Sequence, residues 1–165
     1  MIPEIKKILY STDLSENSKF AFSYAASLAN RYDAAITILH VLKDAKPTAE
    51  SLVTNVLGAE RWKELLDRSK TELMEKLRQR LESFCEETKS ALPACPFMVK
   101  EVIVKIGDPV EEIMAEVEKN DYDLVIMGAR GHGALSDAVL GSVSRRVLRR
   151  CSKPVMVIRL PKHKS

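Results

Sequence analysis

The chain of 165 residues has no long uninterrupted apolar segment. No run approaches the roughly 20 residues that a helix needs to cross a bilayer, so the sequence predicts no membrane span. The opening segment MIPEIKKILYSTD lacks the apolar stretch and the small-residue cleavage site of a signal peptide. The formal net charge is only +3, and without a concentrated basic patch it does not predict a nucleic-acid partner.

Cysteine is also scarce, with only Cys85, Cys95 and Cys151 in the chain. These residues form no CxxC pair, and an odd number at wide spacing does not indicate a disulfide framework. The simplest location is therefore the reducing cytoplasm. Cys95 lies between two prolines. We expect it to be exposed, with no neighbour that would activate its thiol.

Short apolar runs alternate with stretches of helical periodicity along the whole chain. The predicted strands are 8–10, 34–42, 97–105, 122–128 and 153–160. Helices are predicted after the N-cap candidate Ser15, over about 59–88, from Pro109 behind the cap Asp108, and over about 142–151. The length suits one domain spanning residues 1–165. The order βαβαβαβαβ predicts an α/β fold: an open, mostly parallel sheet with helices on both faces.

Glycine is sparse, yet four of the six glycines lie in one stretch, GARGHGALSDAVLGS. They follow a predicted buried strand and precede a predicted helix. Glycines let backbone N–H groups approach phosphate oxygens, and the helix would add its own free N–H groups and positive dipole end. The hydroxyls of Ser142 and Ser144 could donate further hydrogen bonds. The alternative is that the glycines only turn the chain, but their placement favours a phosphate site.

The position of this glycine loop in the sheet also matters. In open parallel sheets, ligands bind beyond the carboxyl ends of strands, where the strand order reverses. The loop follows strand four, and the turn STDLS follows strand one. If those two strands are neighbours, both loops meet at one crevice.

The chain resembles the universal stress protein family along nearly its whole length. The segments that carry the resemblance are STDLS, ILHVL, GDP, DLVIMGARGHG and LGSVSRRVLRRCSKPVMVIR, and the loop fits the family pattern G-x2-G-x9-G-[S/T]. The resemblance implies a Rossmann-like sheet of five parallel strands in the order 3-2-1-4-5, similar to the adenine nucleotide alpha hydrolases. It also implies the ATP-binding branch, and a homodimer in which strand five (153–160) pairs antiparallel with its twin.

The same resemblance implies a set of ligand contacts. Asp13 would lie near the ribose and phosphates, and the backbone of Val41 by the adenine. Met127 and Gly128 would flank the nucleoside. The phosphates would be surrounded by Gly131, His132, Gly133, Gly141, Ser142, Val143 and Ser144. The implied ligand is ATP, ADP or AMP, with Mg²⁺ or Mn²⁺.

The first loop departs from the family pattern. It reads YSTD, where many ATP-binding members carry proline at Ser11 or nearby. Tyr10 and Ser11 therefore stay open as contacts.

Other interpretations of single residues also stay open. Asp13 could serve only local hydrogen bonding in its turn. His132 is either an exposed histidine without a specific role or a donor to phosphate. We interpret His40, in a predicted buried strand, as a satisfied core or rim histidine.

Two side-chain patterns on helices have ordinary explanations. The long helix carries an apolar stripe that we interpret as core: Trp62, Leu65, Leu66, Leu73, Leu77, Leu81 and Phe84. In the last helix, Arg145, Arg146, Arg149 and Arg150 fall on one side. We interpret that side as solvated, and an anionic partner is the alternative. The opposite side is predicted to be apolar: Val143, Val147, Leu148 and Cys151.

Three functional hypotheses follow: a nucleotide-binding stress module that acts as a sensor or switch through an unidentified partner, a slow ATP hydrolase, or a nucleotide-free dimeric scaffold. The chain has no GxxxxGK[ST] loop, which excludes a P-loop ATPase. Only Asp13 and His132 are candidate general bases, so we name no catalytic residue and predict at most weak hydrolysis. We expect Gly141→Val to fill the phosphate site and abolish binding while leaving the fold intact.

Overall fold

The computed structural model of the chain describes residues 1–43, 55–56, 58–93, 95–130 and 140–161, with residues 96 and 97 described by their backbone alone. The strands are β1 (Lys7–Thr12), β2 (Ala35–Lys43), β3 (Val99–Gly107), β4 (Leu124–Gly128) and β5 (Val155–Ile158). The helices are α1 (Glu16–Tyr32), α2 (Ala59–Glu87), α3 (Cys95–Met98), α4 (Pro109–Lys119) and α5 (Ser142–Arg150).

The helix starts follow their sequence signals. The Ser15 side chain accepts a hydrogen bond from the N–H of Ser18, and Asp108 accepts from Val110 and Glu111. The third strand begins two residues later than predicted, because 95–98 form the short helix α3. None of the helices in the described ranges has the length and apolar content needed to span a bilayer.

The five strands form one sheet in the order β3-β2-β1-β4-β5, and every neighbouring pair is parallel. This confirms the predicted α/β architecture and strand order. β1 lies at the centre, with Ser11 opposite Met127 of β4 and Thr12 opposite His40 of β2. The strand order reverses between β1 and β4, as a topological switch point requires.

The sheet buries a separate apolar cluster on each face. Successive strand residues point to opposite faces, so Ile8 and Tyr10 enter one cluster while Leu9 enters the other. The first cluster packs beneath α1, α2 and α3. The second packs beneath α4 and α5, with Val110, Ile113 and Val147 fully or almost fully buried.

The apolar stripe on α2 is core only in its second half. Leu77 is buried, and Leu81 and Phe84 pack partly against the first cluster. Near the start of the helix Leu65 is 44% exposed. The helix has 29 residues, which at 1.5 Å per residue is about 43 Å. That is longer than the face of the sheet it covers, so the prediction that the whole stripe is core is wrong.

Cys85 and Cys95 form a disulfide, which the sequence did not predict. The end of α2 turns through residues 88–92 and meets α3, so the two Cα atoms lie 5.5 Å apart. Cys95 is only 2% exposed, and the expectation of an exposed thiol there is also wrong. Ten residues of sequence separation look wide, but a helix followed by a tight turn brings the two side chains together.

A buried carboxylate fixes α4 against its neighbours. Glu116 is 4% exposed and accepts hydrogen bonds from Asn120 Nδ2 at 2.7 Å and Tyr122 Oη at 3.0 Å. Its other oxygen pairs with Lys105 Nζ of β3 at 2.9 Å. Burial, together with the adjacent carboxylate, raises the pKa of Tyr122 to about 12. The phenol therefore keeps its proton at neutral pH and remains a donor.

Removal of this carboxylate tests the network. Glu116→Leu leaves the Tyr122 hydroxyl without this acceptor and the Lys105 ammonium with only the longer contact to Glu112 Oε2 at 3.7 Å. We expect the free energy of unfolding to fall by about 2–3 kcal/mol. The double variant Glu116→Leu/Lys105→Met removes the weakly paired charge and should lose less than the single variant. Urea denaturation of both proteins measures the difference. A double variant less stable than Glu116→Leu would show that the Lys105 charge is not the source of the destabilisation.

Candidate functional site

The turn after β1 and the chain after β4 meet at one edge of the sheet, as the order of the strands requires. They border a cleft of about 490 Å³. That volume is typical of small-molecule sites. The cleft also reaches the end of β2 and the first turns of α4 and α5.

Every predicted contact residue within the described ranges lines this cleft. These residues are Asp13, Val41, Met127, Gly128, Gly141, Ser142, Val143 and Ser144. Gly131, His132 and Gly133 lie outside the described residues. Residues that the site predictions did not include also line it: Ser11, Thr12, Ser18, His40, Leu42, Lys43, Pro109, Ile113 and Arg130. Their position follows from the topology, because each lies at or near the carboxyl end of a strand or in the first turns of a helix.

Asp13 is held in place by the turn that follows it. Its Oδ1 accepts hydrogen bonds from the backbone N–H of Ser15 at 3.0 Å and from the Ser15 hydroxyl at 2.6 Å. The side chain thus forms the local turn considered from the sequence and also borders the cleft. Its contact with a ligand stays a prediction. These hydrogen bonds hold the carboxylate in one position without a ligand.

The amino terminus of α5 opens into the cleft without a capping side chain. Its N-cap is Gly141, which supplies no side chain, and the first residue of the helix, Ser142, is exposed. The first helical hydrogen bond runs from the N–H of Arg145 to Gly141 O. The N–H groups of residues 142–144 therefore lack intrahelical acceptors and carry the positive end of the helix dipole. Such a terminus attracts anions.

Ser144 contributes differently from the prediction that its hydroxyl donates to phosphate. It is 2% exposed, and its hydroxyl lies 2.8 Å from Ala129 O and 3.1 Å from Gly141 O. A hydroxyl has one proton to donate, and here it binds the backbone at the end of β4. Ser144 therefore fixes α5 to the sheet, while the exposed Ser142 keeps its hydroxyl at the cleft.

The two described glycines of the loop pattern lie close to the protein's own backbone. A Cβ on Gly128 would lie 3.3 Å from Asn17 C and from Ser18 N. A Cβ on Gly141 would lie 3.3 Å from Ala129 O and 3.4 Å from Arg130 Cα. A side chain at 141 would first meet the end of β4, which would have to give by a few tenths of an ångström. We therefore expect Gly141→Val to strain this junction, and the loss of ligand binding with an intact fold stays a prediction.

His40 is a satisfied rim histidine, as expected. It is 7% exposed, and its Nδ1 lies 2.7 Å from Thr12 O. A carbonyl oxygen can only accept, so Nδ1 carries the proton. The bond joins the ends of β2 and β1 at the floor of the cleft.

The arginine side of α5 is partly an ion-pair surface. Arg150 donates to both oxygens of Glu111, at 2.5 and 3.1 Å, and lowers the pKa of that carboxyl. Arg146 approaches Asp108 and Glu111 at 3.7 and 3.6 Å. These contacts join α5 to the start of α4. Leu148, predicted on the apolar side, is 41% exposed, because its angle around the helix carries it away from Val147.

Comparisons with known proteins agree with this fold. The sequence model of the universal stress protein family matches residues 4–159. The chain belongs to the universal stress protein family. It is 31% identical over 154 residues to universal stress protein MJ0577 of Methanocaldococcus jannaschii, covering 93% of this chain and 94% of that protein.

Two solved structures extend the comparison. Universal stress protein UspA from Lactobacillus plantarum superposes with a TM-score of 0.72 at 25% identity, covering 96% of this chain and all of that one. A universal stress protein family member from Arabidopsis thaliana with AMP bound has a TM-score of 0.54 at 21% identity, covering 95% and 93% of the two chains. At that identity the second comparison shows a shared fold.

Asn17 supports the edge of the cleft in this universal stress protein without lining it, and the sequence did not predict this role. It lies in the first turn of α1, and its Nδ2 donates to Arg130 O at 2.8 Å. The residue is 8% exposed, and among the described residues its Oδ1 has no hydrogen-bond partner. Asn17 therefore links the helix behind Asp13 to the chain that leaves β4. Its only sequence signal was its place two residues after the N-cap.

Substitution of Asn17 by its acidic isostere tests this link. Asn17→Asp keeps the shape but sets a carboxylate against the Arg130 carbonyl, which should lower the free energy of unfolding by about 1–3 kcal/mol. A negative charge in the first turn of α1 gains only about 0.3–1 kcal/mol from the helix dipole. We therefore expect the loss of the hydrogen bond to Arg130 O to be the larger effect. Thermal and urea denaturation measure it. The control Asn30→Asp, at an exposed position in the last turn of the same helix, breaks no side-chain hydrogen bond among the described residues and should cost only the helix-dipole effect, about 0.3–1 kcal/mol. Equal effects of the two changes would contradict the link.

Proposed function

We propose that this universal stress protein binds an adenine nucleotide in the cleft between β1 and β4 and acts as a sensor or switch built on a single domain. The observation that carries the proposal is the amino terminus of α5, where Gly141 supplies no capping side chain and the exposed Ser142 borders the cleft. The N–H groups of its first turn have no intrahelical acceptors, which is suitable chemistry for a phosphate group. If the glycines served the fold alone, these groups would have no acceptor among the residues that the structure describes.

The far end of the cleft suits a flat apolar base. Val41 and Leu42 at the end of β2 face Pro109 and Ile113 of α4 across it. Ligand sites combine apolar walls with a few polar groups that fix orientation, and the backbone of Val41 would supply such groups for adenine. The base would then lie over β2 and the phosphates at α5, with the ribose near Asp13.

The relatives support the same ligand class. The structure from Arabidopsis thaliana contains AMP, and this chain has the same fold over nearly its full length. Whether this chain carries ATP, ADP or AMP at rest is decided by how many phosphates the α5 terminus accommodates. The proposal includes Mg²⁺ or Mn²⁺ bound together with the nucleotide. Among the described residues no group of three or more His, Cys, Asp or Glu side chains could hold a metal ion. The phosphates themselves would therefore supply most of the ligands, with Asp13 beside them.

The terminus of α5 can be tested without disturbing the fold. Ser142→Glu places a carboxylate at the exposed first position of the helix, where the dipole favours it by about 0.3–1 kcal/mol. The same charge opposes phosphate, and we expect the dissociation constant for MgATP to rise about tenfold or more. Calorimetric titration of nucleotide-stripped protein measures this change, and the melting temperature should not fall.

The neutral variant Ser142→Gln is the matched control and should keep most of the affinity. Equal affinity of the Glu and Gln variants would show that the nucleotide does not use this terminus. An assay of released ADP over hours accompanies the titration. Binding with steady release would replace the sensor proposal with a slow ATP hydrolase, and no binding by the wild-type protein would leave a dimeric scaffold.

We further propose that the protein forms a homodimer through β5. This strand pairs with β4 on one side only and lies at one edge of the sheet. Its residues Val155, Met156 and Val157 are half-buried in the single chain. An unpaired edge of this kind can be extended by a second copy, which would then pair antiparallel.

A charge on this edge tests the dimer. Val157→Glu should shift the protein to monomers on a sizing column with light-scattering detection, because a buried carboxylate at the joint would lack a partner. Val102→Glu, at a half-buried position in the opposite edge strand β3, is the matched control and should leave the dimer intact. Dimers that survive Val157→Glu would exclude this interface.

A further inference from the structure

The turn beside Asp13 contains an unusual backbone conformation. Leu14 has φ +66°, and in the described ranges the only other non-glycine residue with positive φ is Asp33. Asp33 is the C-cap of α1, an ordinary place for a left-handed residue. Leu14 is not a C-cap: it lies between the cleft residue Asp13 and the N-cap Ser15. For a residue with a branched side chain this conformation is unfavourable, and it persists only where the surroundings enforce it.

Three contacts enforce it, and two of them come from the long helix α2. The Leu14 N–H donates to Thr12 Oγ1 at 3.1 Å. The Leu14 side chain packs on the first apolar cluster and enters a narrow groove lined also by Leu77, Leu81 and Phe84. The carbonyl of Leu14 accepts a hydrogen bond from Arg80 Nη1 at 2.7 Å, across 66 residues of sequence.

The position of Asp13 depends on this conformation. Leu14 faces α2 on one side of the sheet, while Asp13 borders the cleft at the strand ends. The hydrogen bonds from Ser15 to Asp13 Oδ1 bridge across Leu14. A return of Leu14 to negative φ would rotate both adjacent peptides, break that bridge and redirect the Asp13 carboxylate.

We propose that Arg80 is a positioning residue for the nucleotide site: its hydrogen bond to Leu14 O holds the left-handed turn that aims Asp13 into the cleft. The packing of α2 against the Leu14 turn and the binding of the ligand are then coupled equilibria. Coupling is reciprocal, so nucleotide binding stabilises the docked α2 to the same extent. This inference rests on the proposed function, since it assigns a residue outside the cleft to that same site.

Two arginines of α2 provide a matched experiment. Arg80→Ala removes the bond to Leu14, and we expect the dissociation constant for MgATP to rise about fivefold or more. Arg80→Lys can still donate to the carbonyl and should recover most of the affinity. Arg78 pairs only with Glu75 and Glu82 of its own helix among the described residues, so Arg78→Ala should change affinity by less than about twofold. Both side chains lie at exposed positions, and circular dichroism checks that each of the three variants is folded at the titration temperature.

The readouts separate this inference from the proposed function. Unchanged affinity in Arg80→Ala, with a wild-type protein that binds, overturns the positioning role. If the wild-type protein binds no nucleotide, the proposed function fails, and amide hydrogen exchange of the ligand-free protein decides the inference. Faster exchange of the Ser15 amide in Arg80→Ala than in Arg78→Ala supports the role, and equal exchange overturns it.

Discussion

The parallel pairing of β1 with β4 is the constraint on which the site depends. It sends two loops from distant parts of the sequence out of the same edge of the sheet, with Ser11 and Met127 side by side. The helices that follow those loops must then leave in opposite directions to cover the two faces. The cleft is the space between these diverging segments. The strand order determines which positions of the chain line it, whatever side chains those positions carry.

The contacts around the cleft act mainly between protein segments. Ser144 ties α5 to Ala129, Asn17 ties α1 to Arg130, and His40 ties β2 to Thr12. Each bond crosses from one loop or helix to the end of a strand. The groups that remain at the cleft are backbone N–H groups and a few exposed side chains. Such a cleft is preorganised, and affinity for the proposed nucleotide would come from positions already fixed by folding.

Much of this arrangement could be predicted from the sequence. The alternation of strands and helices follows from periodicity, and the caps at Ser15 and Asp108 are local signals. The strand order and the residues that line the cleft follow from the family resemblance. The rest depends on distances that no local pattern encodes. The disulfide forms because a turn brings Cys85 to Cys95, and the exposed start of α2 reflects a helix longer than its sheet. The hydrogen bonds of Asn17 and Arg80 span 113 and 66 residues.

The close approach of Gly128 and Gly141 to backbone atoms changes what the glycine pattern signifies. At both positions a Cβ would lie 3.3 Å from backbone atoms of a neighbouring strand end or helix turn, which is closer than most Cβ contacts. A descendant of this protein that bound no ligand would therefore still favour glycine at both positions. The glycine spacing therefore indicates the junction between β4 and α5. In a relative that had lost ligand binding, we expect substitutions first at exposed positions such as Ser142, which the fold does not need.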